Sequence, residues 1–259
     1  MEFTTEQLVR MSIENPNRVI LTLDEYKKLW NNGINAKLDT RKECLIDASK
    51  KEYDDYLATL NDEGIFKILN EKLESGENTL TIVSGKKQKG KSNLAILVAY
   101  LMNRFKLKIS EFVFFKLSEL FTSVKNNFWR FNVLDESERE LSPATTMEYQ
   151  IIRKTLLDTY DSYGFTKNHL IIVQPRMRIL KDISEDIDYR FHMTRRSYFR
   201  VYEGYTMINK TKIRFGDKRT ELHILPMTID MWREYYTIKL NKINPEINDN
   251  ILQLKLMGH

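Results

Sequence analysis

Leu80-Thr81-Ile82-Val83-Ser84-Gly85-Lys86-Lys87-Gln88-Lys89-Gly90-Lys91-Ser92 is the stretch on which the reading of this chain turns. An apolar run, Leu80 to Val83, leads into G-x-x-x-x-G-K-S, and Asn93 to Met102 continues as a strong helix-forming segment. Buried strand, glycine turn and helix N-terminus are the context that a phosphate-binding P-loop requires. Gly85 and Gly90 let the backbone curl with its N–H groups pointing inward at an anion. The helix start adds unpaired N–H donors and the positive end of its dipole. The residues expected to line ATP are therefore Gly85, Lys86, Lys87, Gln88, Lys89, Gly90, Lys91, Ser92 and Asn93. Lys91 would reach the β- and γ-phosphates, and Ser92 would place a hydroxyl on Mg2+. The plainer alternative is a lysine-rich surface turn, against which the flanking strand and helix both weigh.

Downstream, Glu111 to Phe115 reads as a second strand and Ser118 to Val124 as a short helix. Trp129 to Glu136 reads as an apolar strand closed by Asp135-Glu136. In a nucleotide site Asp135 would hold the Mg2+ shell, and Glu136 would orient and deprotonate the attacking water. The alternative is that the two acids open a helix, where they complement its dipole. Ser142-Pro143 then opens a long helix over Ala144 to Tyr163, its apolar positions forming one stripe. His169 to Pro175 is a further strand ending in Gln174. The succession of elements is that of a P-loop ATPase with an extra strand between the two nucleotide-site strands. Gln174 then lies between the loop and the catalytic glutamate and can hydrogen-bond the γ-phosphate or the water.

On these residues (GKKQKGKS, then VLDE, a helix, and IIVQP followed by Arg176 and Arg178) the chain resembles the HerA/FtsK branch of P-loop ATPases over about residues 79–200. That branch includes DNA translocases, viral genome-packaging ATPases and phage Zot-like proteins. The resemblance implies an α/β fold, a P-loop NTPase of the RecA/ASCE type with a mostly parallel central sheet flanked by helices. It also implies an ATP-hydrolysing motor that works on double-stranded DNA as a ring-shaped homo-oligomer, in that branch usually a hexamer. Gly85, Gly90, Lys91 and Ser92 match the Walker A motif, Asp135 and Glu136 match Walker B, and Gln174 matches the sensor. Such rings complete each site with an arginine from a neighbour. Arg195 and Arg196 are the candidates, with Arg153 and Arg176 next.

The rest of the chain bounds this reading. It has 259 residues, is 42% hydrophobic and 30% charged, and so is expected to fold around a large core. No apolar run approaches the roughly 20 residues that span a membrane, and the N-terminus has no signal-peptide core. The single cysteine, Cys44, excludes an intrachain disulfide framework. The expected location is cytoplasmic: host cytoplasm, or virion-associated for a viral protein. Residues 1–75 hold 11 Lys/Arg against 15 Asp/Glu, so the net charge of +5 comes from the remainder. The expected division is a helical N-terminal extension over 1–75, an ATPase domain over 76–259 with its core at 79–200, and β-hairpins plus a helix at 197–259. Within 189–214, seven basic residues face Glu203 alone, a region able to bind nucleic acid. Trp232, Tyr235 and Tyr236, in a helix expected over Ile229 to Leu240, read as core or docking contacts.

Three other classes share parts of this pattern. A small-molecule or nucleoside kinase shares the P-loop but has no need of a base after Asp135. A GTPase-type switch needs N-K-x-D, and Asn209-Lys210-Thr211-Lys212 fails at its last position. An ATP-dependent DNA-binding adaptor with a dead site would not need both Lys91 and Glu136.

Overall fold

The computed structural model describes residues 6, 7, 10, 13, 14, 18–31, 43–59, 64–86, 89–135, 154, 158, 166–174, 187–195, 198–203, 205–208, 212–215, 221–223 and 225–256. The chain forms two compact units, Met1–Ala48 with Met227–His259, and Ser49–Pro226. This grouping differs from the division drawn at residue 75 on composition.

In the first unit, β1 (Arg18–Thr22) pairs in parallel with β2 (Glu43–Asp47), Arg18 opposite Glu43 and Thr22 opposite Asp47. The segment expected to be mostly helical thus contains a strand pair. Between them α1 (Leu23–Asn31) is helical, as expected of residues 1–75 in general. Thr22 caps it: its N–H donates to Glu25 Oε2 at 2.8 Å, and the Glu25 N–H donates to Thr22 Oγ1 at 3.2 Å. This reciprocal cap satisfies donors that a helix start leaves unpaired. The C-terminal helix runs over Ile229–Leu256, well past the expected end at Leu240. Just before it, the Met227 carbonyl accepts the Ile46 N–H at 2.9 Å. Within it Trp232 stacks on Tyr236 and lies under the Arg18 guanidinium, 4.0 Å from the ring centre.

In the second unit, α2 (Lys50–Ala58) opens on a Ser49–Glu52 capping box, and α3 (Gly64–Ser75) follows. Then come β3 (Leu80–Gly85), α4 (Lys91–Met102), β4 (Val113–Phe114), α5 (Leu117–Asn126), β5 (Phe131–Leu134) and β6 (His169–Gln174). The chain continues through β7 (Tyr189–Arg195), β8 (Tyr198–Glu203), β9 (Tyr205–Ile208), β10 (Lys212–Phe215) and β11 (Glu221–His223). Seven strands make one sheet in the order β11-β8-β7-β3-β6-β5-β4. β7, β3, β6, β5 and β4 are parallel neighbours, while at one side β8 pairs antiparallel with β7 and β11 antiparallel with β8. β9 and β10 form a separate antiparallel pair.

The fold is therefore mixed α/β with a mostly parallel sheet and helices. Every residue of β3 and β6 is buried, as continuous apolar runs in the middle of a parallel sheet should be. Leu80, Ile82, Leu134, Leu170 and Ile172 pack with Leu117, Leu120 and Val124 of α5. Residues 94–102 of α4 are all buried, and α4 lies against α3, β3, β5 and β6. Among the described residues, no helix is long and apolar enough to cross a membrane.

The strand expected from Trp129 begins only at Phe131. Trp129 lies in the turn before it with φ of 59°. β7 was not expected at all, and the helix expected over 144–163 falls almost wholly outside the described residues.

Candidate functional site

Parallel neighbours place their C-terminal ends along one edge of a sheet, and in open α/β sheets that edge is where ligands bind. Here β3 ends in Ser84-Gly85, with Ser84 opposite Gln174 of β6 on one side and His192 of β7 on the other. Leu134 is opposite Ile172, so Asp135, one residue on, stands beside the end of β6. The strand that ends in Gln174 lies between the strand of the glycine loop and that of Asp135, as the sequence predicts.

The glycines have distinct reasons. Gly85 has φ of +142°, and a Cβ there would stand 2.9 Å from both Cβ and the carbonyl oxygen of Met193 on β7. Neither atom can swing aside, so the close β3–β7 approach excludes a side chain. Gly90 is left-handed, φ 86°, and precedes the first residue of α4. Lys91 then folds back over the loop: its Nζ donates to the Lys86 carbonyl at 2.8 Å. Lys89 is half-buried and Lys86 exposed. Lys87 and Gln88 lie outside the described residues. Asn93 turns elsewhere, its amide reaching the Leu225 carbonyl at 3.4 Å.

The glycine loop and the acid-terminated strand meet at one hydrogen bond. Ser92 Oγ donates to Asp135 Oδ1 at 3.0 Å, joining residues 43 positions apart. Asp135 is 1% exposed. A hydroxyl and a carboxylate so placed are hard oxygen donors of the kind Mg2+ takes, in small number, alongside phosphate and water. Among the described residues no cluster of three or more His, Cys, Asp or Glu could hold a metal by itself.

Gln174 is fully buried, and among the described residues neither Oε1 nor Nε2 has a hydrogen-bond partner. Unpaired buried amides are costly and uncommon. Glu136, Arg153, Arg176, Arg178 and Arg196 lie outside the described residues. Arg195 closes β7 in the backbone.

Behind the loop is a cluster that sequence reasoning missed. Arg190, expected in a basic nucleic-acid-binding stretch, is 7% exposed. Its Nε donates to Ser84 Oγ at 2.7 Å, and its Nη2 lies 3.2 Å from His192 Nδ1. Ser84 Oγ is also 3.2 Å from that nitrogen. Burial, and then the charges of Arg190 and Arg200, hold the His192 imidazole below its usual pKa. A neutral ring there can accept from both neighbours. The signal was present in Tyr189-Arg190-Phe191-His192-Met193, which alternates in the manner of a strand.

No family model matches the chain, and no curated protein matches it in sequence.

Proposed function

We propose that this chain is an ATP-hydrolysing motor of P-loop NTPase fold that acts on double-stranded DNA as a ring homo-oligomer. The observation that carries the reading is the Ser92–Asp135 hydrogen bond. It brings the end of the glycine loop and the acid-terminated strand to one point, with the Gln174 strand between them. The parallel order β7-β3-β6-β5-β4 supports an ATPase core with an added strand. In this reading the loop N–H groups and Lys91 hold the phosphates. Ser92 and Asp135 orient Mg2+, which when bound neutralises charge on the phosphates. Glu136 takes the proton of the attacking water. Gln174 finds in the γ-phosphate or that water the partner it otherwise lacks. Arg195 and Arg196 are the residues proposed to reach a neighbouring subunit's site.

The test is steady-state ATP hydrolysis with and without duplex DNA, beside direct ATP binding. Wild type should hydrolyse ATP faster with DNA. Lys91→Ala should lose binding and turnover together. Glu136→Gln should bind ATP yet turn over about 10²-fold or more slowly. Mg-ATP affinity of Lys91→Ala within a factor of two of wild type overturns the phosphate-loop assignment. Phosphate transfer to an added nucleoside without DNA stimulation would make the chain a kinase.

A further inference from the structure

The opposite end of the parallel strands, away from the glycine loop, carries a groove of about 420 Å³. Arg104, Lys106, Phe128, Trp129 and Arg130 contribute to its lining. Phe128 and Trp129 are 51% and 52% exposed, among the few large apolar side chains left open to solvent. Trp129 also sits in left-handed backbone, φ 59°, which a bulky residue adopts only when its surroundings impose it.

Those surroundings are specific. The Trp129 N–H donates to the Thr166 carbonyl at 3.2 Å. The next N–H, of Arg130, donates to Asn168 Oδ1 at 2.9 Å. Asn168 is fully buried, and its amide also donates to the Asn127 carbonyl at 2.8 Å and to Thr166 Oγ1 at 2.7 Å. One buried side chain thus braces both ends of the Asn127–Arg130 turn. Beneath the indole lies Gly76, where a Cβ would come within 3.2 Å of the ring. The backbone is strained and braced to hold a large flat ring half exposed, which is the opposite of what packing alone would select. Around it are Arg104, Lys106 and Arg130, set against Glu74, which Arg104 already approaches at 3.5 Å. A rigid aromatic face with an excess of cations beside it complements a ligand that is both flat and anionic.

We propose that this groove binds a single-stranded nucleic-acid segment, with an unpaired base on Trp129 and its phosphates toward Arg104, Lys106 and Arg130. The cation excess is what selects a nucleic-acid strand over an apolar peptide. The site is separate from the glycine loop and does not rest on ATP hydrolysis.

The test is fluorescence anisotropy with a labelled oligothymidylate of about 12 nucleotides, using the full chain without ATP at two salt concentrations. Trp129→Ala should weaken binding about 5- to 150-fold, the loss of one stacked base. Trp129→Phe should keep most of the affinity. Lys106→Glu, at an exposed position that tolerates the change, should weaken binding and flatten its salt dependence. A blunt duplex should compete poorly, because its bases are already stacked. Lys91→Ala should bind like wild type, so that failure of the ATP reading leaves this result standing. Equal affinity of wild type and a folded Trp129→Ala overturns the proposal. So does unchanged affinity and salt dependence in Lys106→Glu should Trp129→Ala not fold. Thymidine monophosphate competing as well as the oligomer would make this a mononucleotide site and overturn the strand. Groove variants that change only self-association would make it a protein contact, with the same consequence.

Discussion

Gln174 is fully buried beside the glycine loop, and neither amide atom is hydrogen-bonded to any described residue. Leaving such a group unpaired costs about 1–3 kcal/mol. Gln174→Met removes the amide while keeping the length, so the variant should unfold at higher denaturant concentration, gaining about 1–3 kcal/mol. If the amide serves a bound phosphate or water, the same variant should lose ATP turnover. Stability and activity then move in opposite directions, and a net loss of stability in Gln174→Met would argue against the unpaired state. Arg190 is the contrasting residue. It is equally internal, but its guanidinium spends its donors on Ser84 and His192, so its burial is compensated where that of Gln174 is not.

At the scale of elements, β3 and β7 meet at Gly85. Gly85→Ala should destabilise the chain by about 1–3 kcal/mol, the cost of overpacking an interior. Adding Met193→Ala should not rescue it, because the obstructing atoms are the Met193 Cβ and carbonyl oxygen, which alanine keeps. Thermal melts of the single and double variants check this, and full rescue would place the clash elsewhere. Across β5 and β6, His169 stacks on Phe131 with ring centres 4.0 Å apart. Burial, and secondarily the charge of Lys72, bring its pKa down from 6.5 to about 3. The unfolded chain gains this proton as pH falls below about 6.5, whereas the folded chain does not until about pH 3. The stability associated with neutral His169 is therefore complete above pH 6.5 and declines from there toward pH 3. His223, also brought down to about 3 by burial, acts in the same sense. His169→Phe can stack but cannot titrate. It should flatten the fall in stability between pH 7.5 and 5, measured by denaturant titration, whatever its offset at pH 7.5. An unchanged slope would count against the buried neutral ring.

The same elements show what was legible in the sequence. β3, α4, β5 and β6 are long apolar or strongly helix-forming runs punctuated by Gly85 and Asp135, and their identity follows from local chemistry. β7 is hidden in the sequence because Arg190 and Arg195 read as part of a basic stretch, although Tyr189, Phe191 and Met193 beside them are buried. Charge in a sequence does not reveal whether internal partners such as Ser84 exist. β1 and β2 are five residues each and pair in parallel across an intervening helix. That pairing is non-local and leaves no hairpin signature. Trp129 was assigned to a strand on propensity, but Asn168, 39 residues later, holds it in a turn.

For the molecule as a whole, the unit containing β1 and β2 draws on both ends of the chain. Ile46 is fully buried, donates to the Met227 carbonyl at 2.9 Å and bridges to Thr228. A chain ending at Pro226 should therefore lose protection in β2 while β3 and β6 keep theirs, as read by amide hydrogen exchange. Exchange at Leu45 and Ile46 as slow as in the full chain would show that residues 1–48 hold themselves together. The intervening stretch needs no such help at its ends, since the Tyr53 hydroxyl donates to the Pro226 carbonyl at 2.6 Å and ties its first helix to its last residue. This path sets an order on biosynthesis. Chains fold from the N-terminus as they leave the ribosome, yet β2 waits for Met227 and Thr228, made after the whole of 49–226, to arrive. The segment bearing the glycine loop can close while Met227 is still unmade, so β2, although synthesised before that segment, is completed after it.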